Sequence, residues 1–198
     1  MVQVLNMGSE RQPSARVRQR NEARRTDILR AAARVFRRRG IAAAGMREIA
    51  EEAGLSPGNL YHYFSGKDEI LLFCQERTLE RMQAAVDAAR GTAAERLRCV
   101  LRVHVHCMLD ELEGATAHLD VEALPKKLRA PMIEKRDAYE RAVRAIVAEA
   151  MPRGDAALVT RAMLGAANWT ARWYRPDGTQ GAEEIAETLS DYLVKGLA

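Results

Sequence analysis

Apolar residues recur along this chain with the spacing of amphipathic helices, and no segment alternates with the two-residue period of a half-buried strand. In the first such segment, which starts at Thr26, Ile28, Val35 and Phe36 share one face while arginines occupy the other. The same spacing, interrupted by Gly, Pro and Asp, predicts further helices over about 45–53, from 57 onward, and over 68–89, 93–112, 116–124, 130–150, 155–174 and 182–197. We therefore expect an all-α fold.

The segment 40–64 contains the most specific local signals. Gly40 and Gly54 stand where a helix ends and where a turn needs positive φ, a region that glycine enters without steric cost. Ser56 followed by Pro57 predicts the capped start of a third helix, and the small side chain of Ala50 lets two helices cross closely. This pattern is typical of a helix-turn-helix motif, although the turn alone is equally typical of an ordinary pair of packed helices.

Exposed chemistry and charge favour the helix-turn-helix interpretation. Tyr61, His62 and Tyr63 are expected to point outward from the third helix, where hydroxyl, imidazole and ring groups can contact base edges and phosphates. The first 67 residues contain 13 Lys and Arg against 6 Asp and Glu, whereas the remaining residues contain 18 against 21. A basic segment contiguous with such a motif predicts double-stranded DNA as the partner.

Several other classes of protein are not indicated. No apolar run approaches the roughly 20 residues of a membrane-spanning helix, and three unevenly spaced cysteines suit reduced thiols, so we expect a cytoplasmic protein with no membrane partner. No phosphate-binding glycine loop or nucleophile motif is present, so neither an enzyme nor a cofactor is expected. His104 and His106 diverge by about 200° on a helix, so no metal site is predicted.

Residues 26–72 resemble the DNA-binding domain of the TetR family of bacterial regulators. The matching positions are Phe36, Gly40, Arg47-Glu48-Ile49-Ala50, Ala53-Gly54-Leu55-Ser56, Gly58, Leu60-Tyr61-His62-Tyr63-Phe64, Lys67 and Ile70. The resemblance implies a homodimer that binds a palindromic operator. It divides the chain into a basic, flexible arm (1–25), a three-helix helix-turn-helix domain (26–67) and an all-helical ligand-binding and dimerisation domain (68–198).

Positions carried over from the family outline a DNA-binding surface. The resemblance implies that Arg47 contacts a base or a phosphate, and that Tyr63 and Lys67 hold the DNA backbone. The recognition surface is expected to comprise Ser56, Pro57, Gly58, Asn59, Tyr61 and His62.

The sequence departs from the family in two places within this surface. Ala44 and Gly45 stand where the family usually has Thr or Ser, which removes a phosphate contact at the start of the second helix. Pro57 replaces a frequent Lys. Arginines before Thr26 are expected to compensate from the minor groove, as basic arms do.

The stretch 168–178 contains two Trp four residues apart. Together with the earlier Leu124-Pro125 and Arg136-Asp137-Ala138-Tyr139-Glu140, it resembles the branch of the family that responds to acyl-coenzyme A thioesters. On that basis the expected ligand-binding residues are His104, Val105, Met108, Asn168, Trp169, Arg172 and Trp173. Lys126, Lys127 and Arg129 are expected to meet the nucleotide phosphates at the mouth of the pocket. The alternative is that both Trp residues pack in the core or the dimer interface and that the effector is a small drug-like molecule.

The last two predicted helices are expected to form the dimer interface. Gly165 and Ala166 allow close approach of the partner, and Leu189, Tyr192 and Leu193 supply apolar area. The predicted function is a ligand-released repressor. Its rivals are a ligand-independent architectural DNA-binding protein and an all-helical enzyme, but bending DNA requires no long C-terminal domain, and catalytic clusters are missing.

Overall fold

The computed structural model describes residues 15–110 and 121–197, and the regular structure within these ranges is entirely helical. The α-helices are α1 (Ala15–Arg39), α2 (Met46–Glu52), α3 (Pro57–Tyr61), α4 (Lys67–Ala88), α5 (Ala93–Leu109), α6 (Lys126–Ala150), α7 (Ala156–Trp173) and α8 (Ala182–Lys195), with a 3₁₀ turn at Val121–Ala123. The all-α prediction is confirmed. Most of the helix predicted over 116–124 lies outside the described residues.

Local sequence explains where several helices begin and turn. Thr92 and Glu95 form a capping box at the start of α5, and the carboxylate of Asp155 accepts hydrogen bonds from two backbone N–H groups at the start of α7. Gly40 and Gly54 adopt φ values of 76° and 63°, the left-handed region that the sequence predicted for both.

Helix α1 begins at Ala15, eleven residues before the predicted start at Thr26. The segment 15–25 has no apolar stripe, but its side chains contact α4: Arg77 lies 3.3 Å from Glu22, and Arg25 lies 3.6 Å from Glu69. This first part of the helix thus contacts α4 through ion pairs, and apolar periodicity in the sequence does not reveal such contacts. Residues 1–14 of the predicted arm lie outside the described residues.

Helix α6 also begins before its predicted start. It runs from Lys126 rather than from Ala130, so Pro131 lies inside the helix. The guanidinium of Arg129 donates to the Leu124 carbonyl at 2.7 Å and pairs with Glu122, which ties the first turn of α6 to the 3₁₀ turn before it. Arg129, which the sequence assigns to the phosphates of the effector, is therefore already bonded within the protein.

Helix α5 runs through the centre of the C-terminal helices and packs against α4, α6, α7 and α8. The main core is continuous from α1 through α6, with Phe64, Ile70 and Leu101 buried in it. A smaller cluster between α5, α7 and α8 contains Val105, Leu109, Ala167, Ile185 and Ala186. In the part of the chain that the structure describes, no helix has the length and apolar character needed to cross a bilayer.

Candidate DNA-binding surface and effector cavity

The short helix α3 is held by burial on one side and exposes a polar row on the other. Leu60 and Phe64 are buried beneath it, and Ala50 is fully buried where α2 and α3 cross. The Ser56 hydroxyl accepts a hydrogen bond from the Asn59 backbone at 3.2 Å, as expected for an N-cap. The exposed residues on and beside α3 are Ser56, Pro57, Gly58, Asn59, Tyr61 and His62.

Charge next to α3 is partly neutralised inside the protein. The Glu52 carboxylate of α2 accepts from Arg34 at 2.6 Å and from Arg38 at 2.7 Å, and these hydrogen bonds lower the pKa of Glu52. Arg39 pairs with Glu48 in the same way. Arg47, by contrast, is exposed on α2 and forms no ion pair with another described residue, so its guanidinium is available to DNA.

Lys67 occupies a different position from the one expected of a residue that holds DNA. Its half-buried ammonium donates to the carbonyls of Ile41, Ala42 and Ala44 at 2.8, 3.1 and 3.2 Å. An ammonium has three protons, and these three bonds use them all. Lys67 therefore joins the first turn of α4 to the turn between α1 and α2, and its DNA contact stays a prediction that this geometry does not favour.

A second contact joins α4 to the DNA-binding helices. The Arg25 guanidinium lies over the neighbouring rings of Phe64 and Phe73, 4.4 and 4.2 Å from their centroids. Arg25 also pairs with Glu69, whose carboxylate accepts from the backbone and hydroxyl of Ser65 at 2.7 and 2.8 Å. The loop after α3 and the start of α4 are thus fixed to each other and to α1 by polar and cation–π contacts.

A cavity of about 300 Å³ lies among α4, α5, α6 and α7. Apolar side chains and a set of polar and charged groups share its walls. The lining residues are Leu79, His104, Ile133, Arg136, Asp137, Tyr139, Glu140, Arg161, Leu164, Gly165 and Asn168. A mixed cavity of this size has the character of a small-molecule site.

Three of these residues form a hydrogen-bonded chain, which we call the His104 relay. Nδ1 of His104 lies 3.0 Å from the Tyr139 hydroxyl, and Nε2 lies 2.9 Å from Oδ1 of Asn168. Because Oδ1 can only accept, Nε2 carries the imidazole proton and Nδ1 accepts from the Tyr139 hydroxyl. Both ring nitrogens of His104 are therefore satisfied within the protein.

Burial keeps the relay uncharged. It lowers the pKa of His104 to about 4, with Arg136 adding a smaller effect in the same direction and Asn168 opposing it. Burial likewise raises the pKa of Tyr139 well above its ordinary value. At neutral pH the relay is a neutral imidazole between a phenol and an amide.

Arg136 brings the positive charge nearest to the relay. The side chain is half-buried, and burial lowers the pKa of its guanidinium while Asp137 opposes that shift. Among the described residues no ion pair satisfies Arg136, whereas the neighbouring Glu140 pairs with Arg161 at 3.5 Å. The cavity thus contains one partly desolvated cation that forms no ion pair within 4.0 Å with another described residue.

Two family models match consecutive parts of the chain. A family model described as bacterial regulatory proteins of the tetR family matches residues 28–73. A second, described as the tetracyclin repressor-like C-terminal domain, matches residues 90–197. The chain belongs to the TetR family. It is a helix-turn-helix transcriptional regulator, and the family consists of transcription factors rather than enzymes.

Individual relatives of this TetR-family regulator match over most of their length. The transcriptional repressor KstR2 of Rhodococcus jostii is 29% identical over 191 residues, which cover 88% of this chain and 91% of that protein. PfmR from Thermus thermophilus is similar in structure, with 32% identity, a TM-score of 0.76 and coverage of 86% and 98%. AibR in complex with isovaleryl coenzyme A and operator DNA shares the fold, with 22% identity, a TM-score of 0.70 and coverage of 88% and 97%.

Two of the predicted ligand-binding residues line the cavity of this TetR-family protein, and five do not. His104 and Asn168 contribute to its polar wall. Val105 and Met108 are buried on other sides of α5, where they pack in the two hydrophobic clusters. Arg172, Trp169 and Trp173 are exposed on α7.

Arg136 and Tyr139 are among the lining residues that the sequence did not assign to ligand binding. Both stand on the face that the helical spacing of 130–150 predicts to be inward. The spacing predicts that Arg136 and Tyr139 point inward, but it does not show that this face of the helix meets His104.

The face of α7 that the sequence placed inward is the outward face of the single chain. Trp169 and Trp173 are 64% and 46% exposed, and Gly165 lies on the same side one turn earlier. On α8 Tyr192, which the sequence assigns to the dimer interface, is 75% exposed in the single chain, while Leu189 and Leu193 are half-buried. We call the surface defined by Leu158, Trp169, Trp173 and Tyr192 the outer face. Gly165 also lines the cavity, so it lies where the outer face and the cavity meet.

Proposed function

We propose that the chain is a repressor that binds a two-fold symmetric operator as a homodimer and leaves it when an effector occupies the cavity. The observation that carries the proposal is the position of α4. Leu79 of α4 lines the cavity, and Lys67 at its start bonds the turn between α1 and α2. A helix rises about 1.5 Å per residue, so one continuous helix spans the roughly 18 Å between these two points.

Movement of α4 would alter the DNA-binding helices through two contacts already described. The Lys67 bonds hold the turn before α2, and the cation–π contacts of Arg25 hold Phe64 after α3 and Phe73 of α4. An effector releases DNA only if it binds the released state more tightly. Moving a 99:1 equilibrium to 1:99 requires a preference of about 5.5 kcal/mol.

The outer face supports a homodimer. Large apolar side chains rarely gather on the surface of a monomer, and Trp and Tyr are enriched in interfaces. TetR regulators act as dimers, and a two-fold arrangement of α7 and α8 from each chain would bury Trp169, Trp173 and Tyr192 in one contact. Symmetry of the protein would then be matched by symmetry of the operator.

For the effector we propose an acyl-coenzyme A thioester whose acyl group enters the cavity. AibR, which shares this fold, binds isovaleryl coenzyme A together with operator DNA. A cavity of about 300 Å³ suits an acyl group with the nucleotide left outside. Lys126 and Lys127, exposed at the start of α6, are the remaining candidates for its phosphates because Arg129 is occupied.

The test measures release of DNA by defined ligands. An operator selected in vitro from a random pool is labelled, and fluorescence anisotropy follows its dissociation as octanoyl-coenzyme A, isovaleryl-coenzyme A, free coenzyme A or the free acids are added. We expect release by one or both thioesters at concentrations where coenzyme A and the free acids have no effect. Equal response to a thioester and its free acid would contradict the coenzyme A assignment, and no selected operator would contradict specific DNA binding.

A further inference from the structure

The polar end of the cavity offers hydrogen-bond donors in excess. Asn168 accepts from His104 through Oδ1, which leaves its amide NH₂ group unused on a residue that lines the cavity. Arg136 adds five N–H donors; it lines the same cavity and stands one helical turn before Tyr139 on α6. Tyr139 donates its only hydroxyl proton to His104, so it is not a donor for a ligand.

A ligand that fills the cavity displaces water from these donors. Leaving a buried donor without an acceptor costs about 1–3 kcal/mol, and more for a charged group. A saturated acyl chain has no acceptor at its end, so it would leave both Asn168 and Arg136 unsatisfied. A group that only accepts, and that carries a negative charge, satisfies both residues at once.

We propose that this end of the cavity binds a carboxylate on the acyl part of the effector, with one oxygen on the Arg136 guanidinium and one on the Asn168 amide. This inference rests on the proposed effector cavity and narrows its ligand to a carboxyacyl compound. Leu79, Ile133 and Leu164 provide the apolar walls for the carbon chain behind the carboxylate. His104 does not touch the ligand, and it holds the Asn168 amide in the orientation that presents its donors.

The neighbouring charges fit this assignment. Glu140 is already paired with Arg161, so that pair adds little net charge to the wall. Asp137 interacts with Arg136 electrostatically, but no ion pair at hydrogen-bonding distance joins them. Arg136 therefore keeps N–H donors for a charge-assisted hydrogen bond to one oxygen of the ligand carboxylate, while the Asn168 amide binds the other.

The closing experiment uses three thioesters of the same length: octanoyl-coenzyme A, 7-oxooctanoyl-coenzyme A and suberyl-coenzyme A, which ends in a carboxylate. Calorimetry on the full chain measures affinity, and the anisotropy assay measures release of DNA. We expect suberyl-coenzyme A to bind 10- to 100-fold more tightly than octanoyl-coenzyme A, as charge-assisted hydrogen bonds imply. Equal affinity of the two, or a preference for the neutral 7-oxo compound, would overturn the carboxylate assignment.

Variants locate the contact. Arg136→Met should remove the preference for suberyl-coenzyme A, Asn168→Leu should reduce it, and His104→Gln should weaken it less than Asn168→Leu does. Arg141→Met is the matched control, because Arg141 is an exposed arginine on the same helix outside the cavity lining. If Arg136→Met retains the full preference, the proposed contact is wrong.

A readout without ligand keeps the test independent of thioester binding. Arg136 is partly desolvated and forms no ion pair at hydrogen-bonding distance with another described residue, so Arg136→Met should melt at the same temperature as the unliganded wild type or higher. A clear loss of thermal stability would show that Arg136 is a structural residue and would overturn the inference.

Binding of free suberate distinguishes failure of the carboxylate site from failure of the coenzyme A effector. If suberate binds as tightly as its thioester and Arg136→Met abolishes both, the carboxylate site stands and the coenzyme A effector fails. If all three thioesters release DNA equally well, the effector class stands and the carboxylate site fails.

Discussion

The DNA-binding surface and the His104 relay differ in how far apart their residues lie along the chain. The side chains assigned to the major-groove surface come from the single stretch 47–67, whereas Tyr139 and Asn168 are 35 and 64 residues from His104. The first surface depends on two glycines, one N-cap and a few buried side chains within that stretch or beside it. The second exists only when α5, α6 and α7 pack in one arrangement. Local signals therefore predict the first surface and leave the second one undetermined.

The same contrast separates the cavity from the outer face, although both use α7. Asn168 and Trp169 are adjacent in sequence, yet Asn168 bonds His104 while Trp169 is exposed. Consecutive residues on a helix point about 100° apart, so a shift of one position changes the partner completely. Apolar character alone does not tell a core stripe from an interface stripe.

The largest expected effect comes from charges on the outer face. Trp169→Asp combined with Tyr192→Asp should convert the dimer to monomer and weaken operator binding more than 100-fold, because two chains no longer bind together. The monomer should stay folded, since both side chains are exposed in the single chain. Sedimentation velocity and circular dichroism check the two statements, with Ala84→Asp on the exposed side of α4 as control. An unaltered dimer would place the interface elsewhere.

The next largest effect is expected from two variants in the stretch 47–67, one at a residue assigned to DNA contact and one at a residue that stabilises the fold. Tyr61 is 53% exposed, so Tyr61→Ala should weaken operator binding about 10- to 100-fold without changing the melting temperature. Lys67→Ala should instead lower the free energy of unfolding by roughly 1–3 kcal/mol, because three carbonyls lose their donor. Thermal melts and anisotropy titrations on both variants make the comparison.

Opposite outcomes would reverse these assignments. A Lys67→Ala variant with normal stability but weak operator binding would restore the family role that the resemblance implies for Lys67. A destabilised Tyr61→Ala variant would mean that the ring packs in the protein.

The relay predicts a dependence of stability on pH. The folded state keeps His104 neutral down to a pKa of about 4, whereas an unfolded histidine takes up its proton near 6.5. The unfolded state therefore binds more protons between these values, and stability falls as pH is lowered through this window, by roughly 2 kcal/mol from pH 7 to pH 5. Urea titrations at several pH values measure the slope.

NMR titration of the His104 ring tests directly whether the imidazole stays neutral down to about pH 4 in the folded protein. Two variants test its effect on stability. The His104→Gln variant should lose the slope between pH 6.5 and 5, while His62→Gln, at an exposed position, should keep it. An unfolding free energy that is flat over this range in the wild type would contradict a buried neutral imidazole.

The smallest effect concerns the start of α2. Gly45 is the N-cap at φ −113° and ψ 152°, it has no side-chain cap, and a Cβ there meets open space. Gly45→Ser should thus stabilise the protein by a few tenths of a kcal/mol and add a hydroxyl where the family usually places one. Differential melting against Gly45→Ala, which fits the space without capping, isolates the cap. A Ser variant no more stable than the Ala variant would rule out a capping gain.

The sequence by itself determined the helical class, the helix-turn-helix, its capped and glycine-marked turns, and the exposed row on α3. These features depend on residues within a few positions of one another, so spacing and backbone preference report them directly.

Tertiary structure alone decided the rest. It extended α1 to Ala15, turned Lys67 toward three carbonyls, put Trp169 outside and Asn168 inside, and joined His104 to Tyr139. Each of these outcomes depends on which helices pack against each other. The spacing of apolar residues shows how apolar a helix face is, but it does not show which other helix packs against that face.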